Sequence, residues 1–173
     1  MAKEDMRIGV FVCDCGSNIA GFADTEEVRS FAETLPNVVV SVRNKYTCSD
    51  PGQQEIQRTI FENRLNRVVV ASCSPSSYEP IFRQCIQGAG LNPYLLEMAN
   101  IRNQNSWVHA NNPDAATRKA KDLVRMAVAK SSLQSPLLQT ELPINHSALV
   151  AGGGIAGMTA ALALAHQGYA VDL

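Results

Sequence analysis

Short apolar runs alternate with segments of helical period through the first hundred residues, and that alternation leaves few folds open. The runs are residues 7–12, 38–42, 67–72 and 94–98, the first three dominated by Val and Ile. Between them, residues 24–35 carry Val28, Phe31, Ala32 and Leu35 at spacings of three and four, with Asp24 or Thr25 placed to cap the helix. Residues 51–63 start behind Asp50-Pro51, a cap followed by proline at the first helical position, and set Ile56, Ile60 and Phe61 on an apolar face. Residues 76–89 do the same with Ile81, Phe82, Cys85, Ile86 and Ala89, before Gly90 stops the helix. Strands that read as continuous apolar runs, each followed by a helix, predict a parallel sheet covered on both faces. The expected class is therefore α/β, a Rossmann-like parallel-sheet domain. Residues 111–133 add a longer helix capped by Asn112-Pro113-Asp114, with Ala116, Ala120, Leu123, Val124, Ala127 and Val128 along one face. We expect the domain to span residues 1–133. An extended linker with Pro136 and Pro143 follows over 134–146, and a second unit over 147–173.

That second unit opens with a short strand at residues 148–151. Then comes Gly152-Gly153-Gly154-Ile155-Ala156-Gly157, an Ala-rich helix over 158–167, Gly168 as its stop, and a strand from 169. Gly152, Gly154 and Gly157 match G-x-G-x-x-G in the strand–turn–helix setting that gives the motif its meaning. The first glycine permits the tight turn and the second lets backbone N–H groups approach a pyrophosphate. The third lets helix and strand pack closely, and the helix N-terminus favours the phosphate charge. The six residues 152–157 are the candidate dinucleotide cradle. The acidic residue that would hold a ribose should end the following strand. Asp172 reads as falling inside that strand, one or two positions early, so the unit is expected to be the truncated first β-α-β piece of a larger binding domain.

The five cysteines are Cys13, Cys15, Cys48, Cys73 and Cys85. No run approaches the ~20 apolar residues of a membrane span, and the polar start lacks a signal-peptide core. This points to a cytoplasmic protein with reduced thiols. Cys13 ends the first predicted strand, Cys48 follows the second and Cys73 ends the third. In a parallel sheet those ends share one rim, where ligands bind. Cys15 supplies a fourth thiol. Four thiolates suit a 4Fe–4S cluster or tetrahedral zinc, and small neighbours (Gly16, Ser17, Ser49, Ser72, Ser74) leave room and offer donors. A Cys13–Cys15 redox pair, or ordinary buried cysteines, are the other readings. Cys85 sits on an apolar helix face and reads as core.

A net charge of −1 and 6% aromatic residues give no footprint for nucleic acid. No Ser/His/Asp set or carboxylate pair stands out, so no residue is assigned as catalytic. His109 reads as a hydrogen-bonded structural histidine, Trp107 as a packing anchor and His146 as exposed. Arg102 is read equally as a solvated side chain or as a charge facing a cluster or partner.

The run Gly9-Val10-Phe11-Val12-Cys13-Asp14-Cys15-Gly16-Ser17-Asn18-Ile19 resembles the opening of the heterodisulfide reductase A-subunit and its bacterial homologues. So do Tyr46-Thr47-Cys48-Ser49-Asp50-Pro51-Gly52, Ala71-Ser72-Cys73-Ser74-Pro75 and Asn92-Pro93-Tyr94, and Trp107-Val108-His109 continues the likeness. The glycine loop sits where that family begins its FAD domain, and its small residues resemble those of flavoproteins rather than NAD enzymes. The resemblance implies an oxidoreductase: the iron–sulfur flavoprotein component of a flavin-based electron-bifurcating complex. It implies a 4Fe–4S cluster on Cys13, Cys15, Cys48 and Cys73, and FAD bound in the full-length protein. The implied partners are other heterodisulfide reductase-type subunits, with ferredoxin or another electron carrier, and no nucleic acid and no membrane span. A homodimer is among the assemblies it leaves open. A zinc-stabilised interaction domain and a thiol redox switch are the alternatives.

Overall fold

The computed structural model describes residues 5–173. It falls into two compact units, divided between Leu137 and Leu138. The first runs β1 (Ile8–Cys13), α1 (Ser17–Ala20), α2 (Thr25–Glu33), β2 (Val38–Asn44), α3 (Asp50–Asn63), β3 (Arg67–Ser72), α4 (Pro75–Gly88), β4 (Leu96–Asn100) and α5 (Pro113–Ser131). A 3₁₀ turn, Pro93–Leu95, precedes β4, and a π-helical turn, Arg102–Ser106, follows it.

The four strands pair in parallel in the order β2-β1-β3-β4. β1 and β3 are central, which is why every residue of both is buried. Successive strand side chains point to opposite faces, and the core divides accordingly. Ile8, Val10, Val12, Val69 and Ala71 meet Val28 and Ala32 of α2 and Ala120, Val124 and Val128 of α5. Phe11, Val68 and Val70 meet Ile56 and Ile60 of α3 and Phe82, Cys85 and Ile86 of α4. This is the Rossmann-like parallel α/β arrangement that the alternation predicts.

Several local expectations are corrected. β4 begins at Leu96, because the Asn92 side chain accepts from the Tyr94 N–H at 3.0 Å and winds Pro93–Leu95 into the 3₁₀ turn. Ser49, rather than Asp50, caps α3, its Oγ accepting from the Gly52 N–H at 3.3 Å. Phe61 is 66% exposed. Each helical residue advances about 100°, so Phe61 falls off the stripe that Ile56 and Ile60 define. Ile81, one position before the buried Phe82, misses its stripe in the same way and is 36% exposed. The short α1 and the π-helical turn carry no hydrophobic period that would announce them.

Residues 134–146 have no regular secondary structure. The first of them pack on the first unit. Gln134 Nε2 donates to the Leu96 carbonyl at 3.1 Å, and Arg67 Nη2 donates to the Gln134 carbonyl at 3.1 Å. The second unit pairs β5 (Ser147–Leu149) in parallel with β6 (Ala170–Asp172) across α6 (Ile155–His166). β6 extends through Asp172. His146 is exposed, its ring 5.6 Å from that of Tyr169. Among the described residues no helix is long and apolar enough to cross a membrane.

Candidate functional site: a thiol-lined rim

The strand order means that the chain leaves β1 on one side and returns on the other. The crevice at such a switch point opens beyond the carboxyl ends of β1 and β3. Cys13 is the last residue of β1, Cys15 lies two residues further, Cys48 lies between β2 and α3, and Cys73 directly follows β3. All five cysteines are free. Cys13 and Cys73 are buried, and Cys15 and Cys48 are half-buried. The four rim thiols lie within electrostatic reach of one another. Burial pushes the Cys48 thiol pKa up, and the Cys13 and Cys15 thiolates add to the rise. Burial also raises the Cys73 thiol, Arg102 opposing this and Cys15, Cys13 and Cys48 reinforcing it. Cys85 stands apart on α4. Burial alone pushes it up to about 11, and its Sγ lies 3.4 Å from the Gln53 carbonyl.

Two consecutive left-handed residues make the sharp turn that Cys-x-Cys requires, Cys15 at φ 48° and Gly16 at φ 58°. Glycine tolerates that region freely. Here a Cβ on Gly16 would also stand 2.8 Å from Tyr46 Oη. The turn brings the Cys15 N–H to 3.3 Å from Cys13 Sγ, and the Thr47 N–H donates to the same sulfur at 3.4 Å.

Asp14, between the two cysteines, anchors the turn. Its carboxylate accepts from Thr25 Oγ1 at 2.6 Å and from Arg43 Nε and Nη2 at 2.8 and 3.1 Å. Its carbonyl accepts from the Ile19 and Ala20 N–H groups, which holds α1 beneath the turn. Asp14→Asn leaves an amide facing the guanidinium and is expected to cost about 1–2 kcal/mol in urea unfolding. Removing the exposed Glu55–Arg58 pair on α3 is expected to change stability by less than about 0.5 kcal/mol. Equal effects would count against the anchoring role.

Arg102 reaches the rim from beyond β4. Its Nη1 donates to Cys15 Sγ at 3.4 Å, and its guanidinium lies over the Trp107 ring at 4.9 Å. Burial disfavours its charge, but the Cys15 hydrogen bond and the nearby Cys73 and Cys15 thiolates outweigh that, and its pKa rises. Trp107 is therefore not a packing anchor. It is half exposed, and its ring faces Arg102. His109 is half-buried, and its backbone N–H donates to the Asn105 carbonyl at 2.9 Å. The signal for Arg102 in the sequence is its place just past the fourth strand, which puts it on the same rim as the thiols.

A single tetrahedral ion bound at about 2.3 Å needs sulfurs about 3.8 Å apart. Among the described residues no group of three or more His, Cys, Asp or Glu side chains is arranged to hold such an ion. A cubane cluster gives each thiolate its own iron, so its ligands stand further apart. Polar atoms beside the thiols also fit a larger group. Thr47 Oγ1, next to Cys48, and Ser72 Oγ, next to Cys73, are buried without a hydrogen-bond partner, as is Asn44 Oδ1. A buried hydroxyl without a partner is costly, and cluster sulfurs would accept from both.

In the second unit Gly152 adopts φ 121°, and Gly154 caps α6 without any side-chain hydrogen bond to its first turn. A Cβ on Gly157 would collide with the Gly152 carbonyl, whereas at Gly152, Gly153 and Gly154 it would meet nothing within 4 Å. Ile155 is 79% exposed and Ala156 is exposed. The loop is thus tightly closed behind and open in front, with helix N–H groups available to an anion.

No family model matches the chain. Among curated proteins, it is 58% identical over 173 residues to the CoB–CoM heterodisulfide reductase iron–sulfur A-subunit 2 of Methanopyrus kandleri, covering 100% of this chain and 26% of that protein. It is 58% identical over 166 residues to the A-subunit of the hydrogen:CoB–CoM heterodisulfide, ferredoxin reductase of Methanothermobacter thermautotrophicus, covering 96% of this chain and 25% of the relative. The chain belongs to the heterodisulfide reductase A-subunit family. A heterodisulfide reductase A-subunit-like protein of Archaeoglobus profundus is 54% identical over 173 residues, which is 100% of this chain and 25% of that protein. The chain spans about a quarter of the length of these relatives and matches their N-terminal portion.

Proposed function

We propose that the first unit is an electron-transfer module that holds a 4Fe–4S cluster on Cys13, Cys15, Cys48 and Cys73. The second unit opens an FAD site whose pyrophosphate would rest on residues 152–157. In this reading the whole protein is the iron–sulfur flavoprotein component of a cytoplasmic, flavin-based electron-bifurcating heterodisulfide reductase complex. It exchanges electrons with ferredoxin or another carrier and with its partner subunits.

The observation that carries the reading is the convergence of four free thiols at the switch point, beside hydroxyls that have no other partner. Two relatives support it, one named for its iron–sulfur content and the other named as part of a ferredoxin reductase. A bound cluster supplies one-electron storage. The protein's part is to fix the four sulfurs, donate N–H groups to Cys13, hold the Cys-x-Cys turn through Asp14, and keep water from the buried Cys13 and Cys73.

Protein purified without oxygen tests this by absorption spectroscopy with iron, sulfide and zinc analysis. Broad absorption near ~400 nm that bleaches with dithionite, with about four irons per chain, is the expected result. Colourless protein with stoichiometric zinc would replace it with a structural metal site, and metal-free protein with a reversible Cys13–Cys15 disulfide would replace it with a redox switch.

A further inference from the structure

Arg102 is fixed in place to a degree that a solvated arginine is not. Its Nη1 bonds Cys15 Sγ at 3.4 Å across 87 positions of sequence, its Nε donates to Asn103 Oδ1 at 3.3 Å, and its guanidinium covers the Trp107 ring. The turn that carries it is itself tied down. Ser106 Oγ donates to the Asn18 carbonyl at 2.7 Å, next to the Cys-x-Cys turn, and the Asn103 N–H donates to Asn100 Oδ1 at 2.9 Å. Ordering a long side chain costs rotamer entropy, so three simultaneous contacts argue for a defined task. The other arginine near the rim, Arg43, is engaged by Asp14 and Glu26. Among the described residues Arg102 is the cation with a hydrogen bond to a cysteine sulfur.

We propose that Arg102 sets the charge of the thiolate site: held between Cys15 and Trp107, it favours the added electron and so raises the reduction potential of the group bound there. This rests on the cluster reading above. Reduction adds negative charge to a site already rich in it, and a fixed positive charge in a partly buried setting stabilises the reduced form. A hydrogen bond to a ligand sulfur acts in the same direction. The planar guanidinium can bond the sulfur and cover the indole at once, which an ammonium cannot match. Arg102 is a positioning residue and not a ligand.

A redox titration followed by electron paramagnetic resonance tests it on oxygen-free, iron-analysed wild type, Arg102→Gln and Arg102→Lys. Arg102→Gln is expected to keep its iron and sulfide. At the wild-type midpoint its ratio of reduced to oxidised cluster should fall about tenfold, equivalent to ~59 mV for one electron, and Arg102→Lys should recover part of the loss. An unchanged ratio in a fully loaded Arg102→Gln protein overturns the proposal while leaving the cluster in place. Loss of iron from both variants makes the residue a structural prop and also overturns it. Wild-type protein without iron fails one step earlier and removes the cluster reading itself.

Discussion

Alanine at Cys13 or Cys73 is expected to lower bound iron from about four atoms per chain to less than half that and to bleach the ~400 nm band, while Cys85→Ala leaves both intact. The contrast follows from position. Cys13 ends one central strand and Cys73 directly follows the other; both are buried and share the electrostatic environment of Cys15 and Cys48. If the cluster sits on these four thiols as proposed, removing either one leaves three thiolates and an iron open to solvent. Cys85 is as buried as they are, at 3% exposure, but its neighbours are Ile56, Phe82 and Ile86, and its raised pKa, about 11, reflects burial alone. Such a thiol is inert. Circular dichroism and melting of the metal-free variants separate ligand loss from misfolding, because a ligand removed without damage leaves the apoprotein folded. Four irons retained in a folded Cys13→Ala protein would show that the ligand set is wrong. Iron lost from a folded Cys85→Ala protein would do the same.

The sheet was legible because its signal is additive along the chain. Val68, Val69 and Val70 are apolar whichever face they take, so no register error could hide β3, and the thiols at the strand ends were placed on one rim by topology alone. What escaped depends on single angles or single hydrogen bonds. Phe61 and Ile56 are both apolar and only the helical phase separates them. Trp107 has the size of a core residue, and its exposure follows from the π-helical turn that carries it out beside Arg102. The turn that makes Cys-x-Cys workable rests on a left-handed Cys15, a conformation non-glycine residues seldom adopt. Three hydrogen bonds from Thr25 and Arg43 to the Asp14 carboxylate hold the segment, and neither donor is close to Asp14 in sequence. Propensity has no access to contacts of that kind.

Phe11→Ala should be the most damaging truncation outside the thiols, lowering stability by about 3–5 kcal/mol. Phe61→Ala, the same chemical change, should stay within about 0.5 kcal/mol. Phe11 is among the largest fully buried side chains, on the central strand β1, packed with Val68, Val70, Ile56 and Phe82. Its loss leaves a cavity that four rigid elements cannot close. Phe61 is 66% exposed and leaves none. Domains of this size are stable by about 5–15 kcal/mol, so Phe11→Ala removes a large share, and a melting temperature lower by roughly 10–15 °C is the expected reading. The consequence reaches the thiol rim, because Cys13 lies two residues along the same strand and is held there by pairing with β2. Loaded Phe11→Ala protein should therefore release its iron on warming in step with its earlier unfolding, while Phe61→Ala releases it at the wild-type temperature. Equal melting temperatures for the two variants would mean that the β1–α3–α4 core does not support the rim, and that Cys13 is held from the β2 side alone.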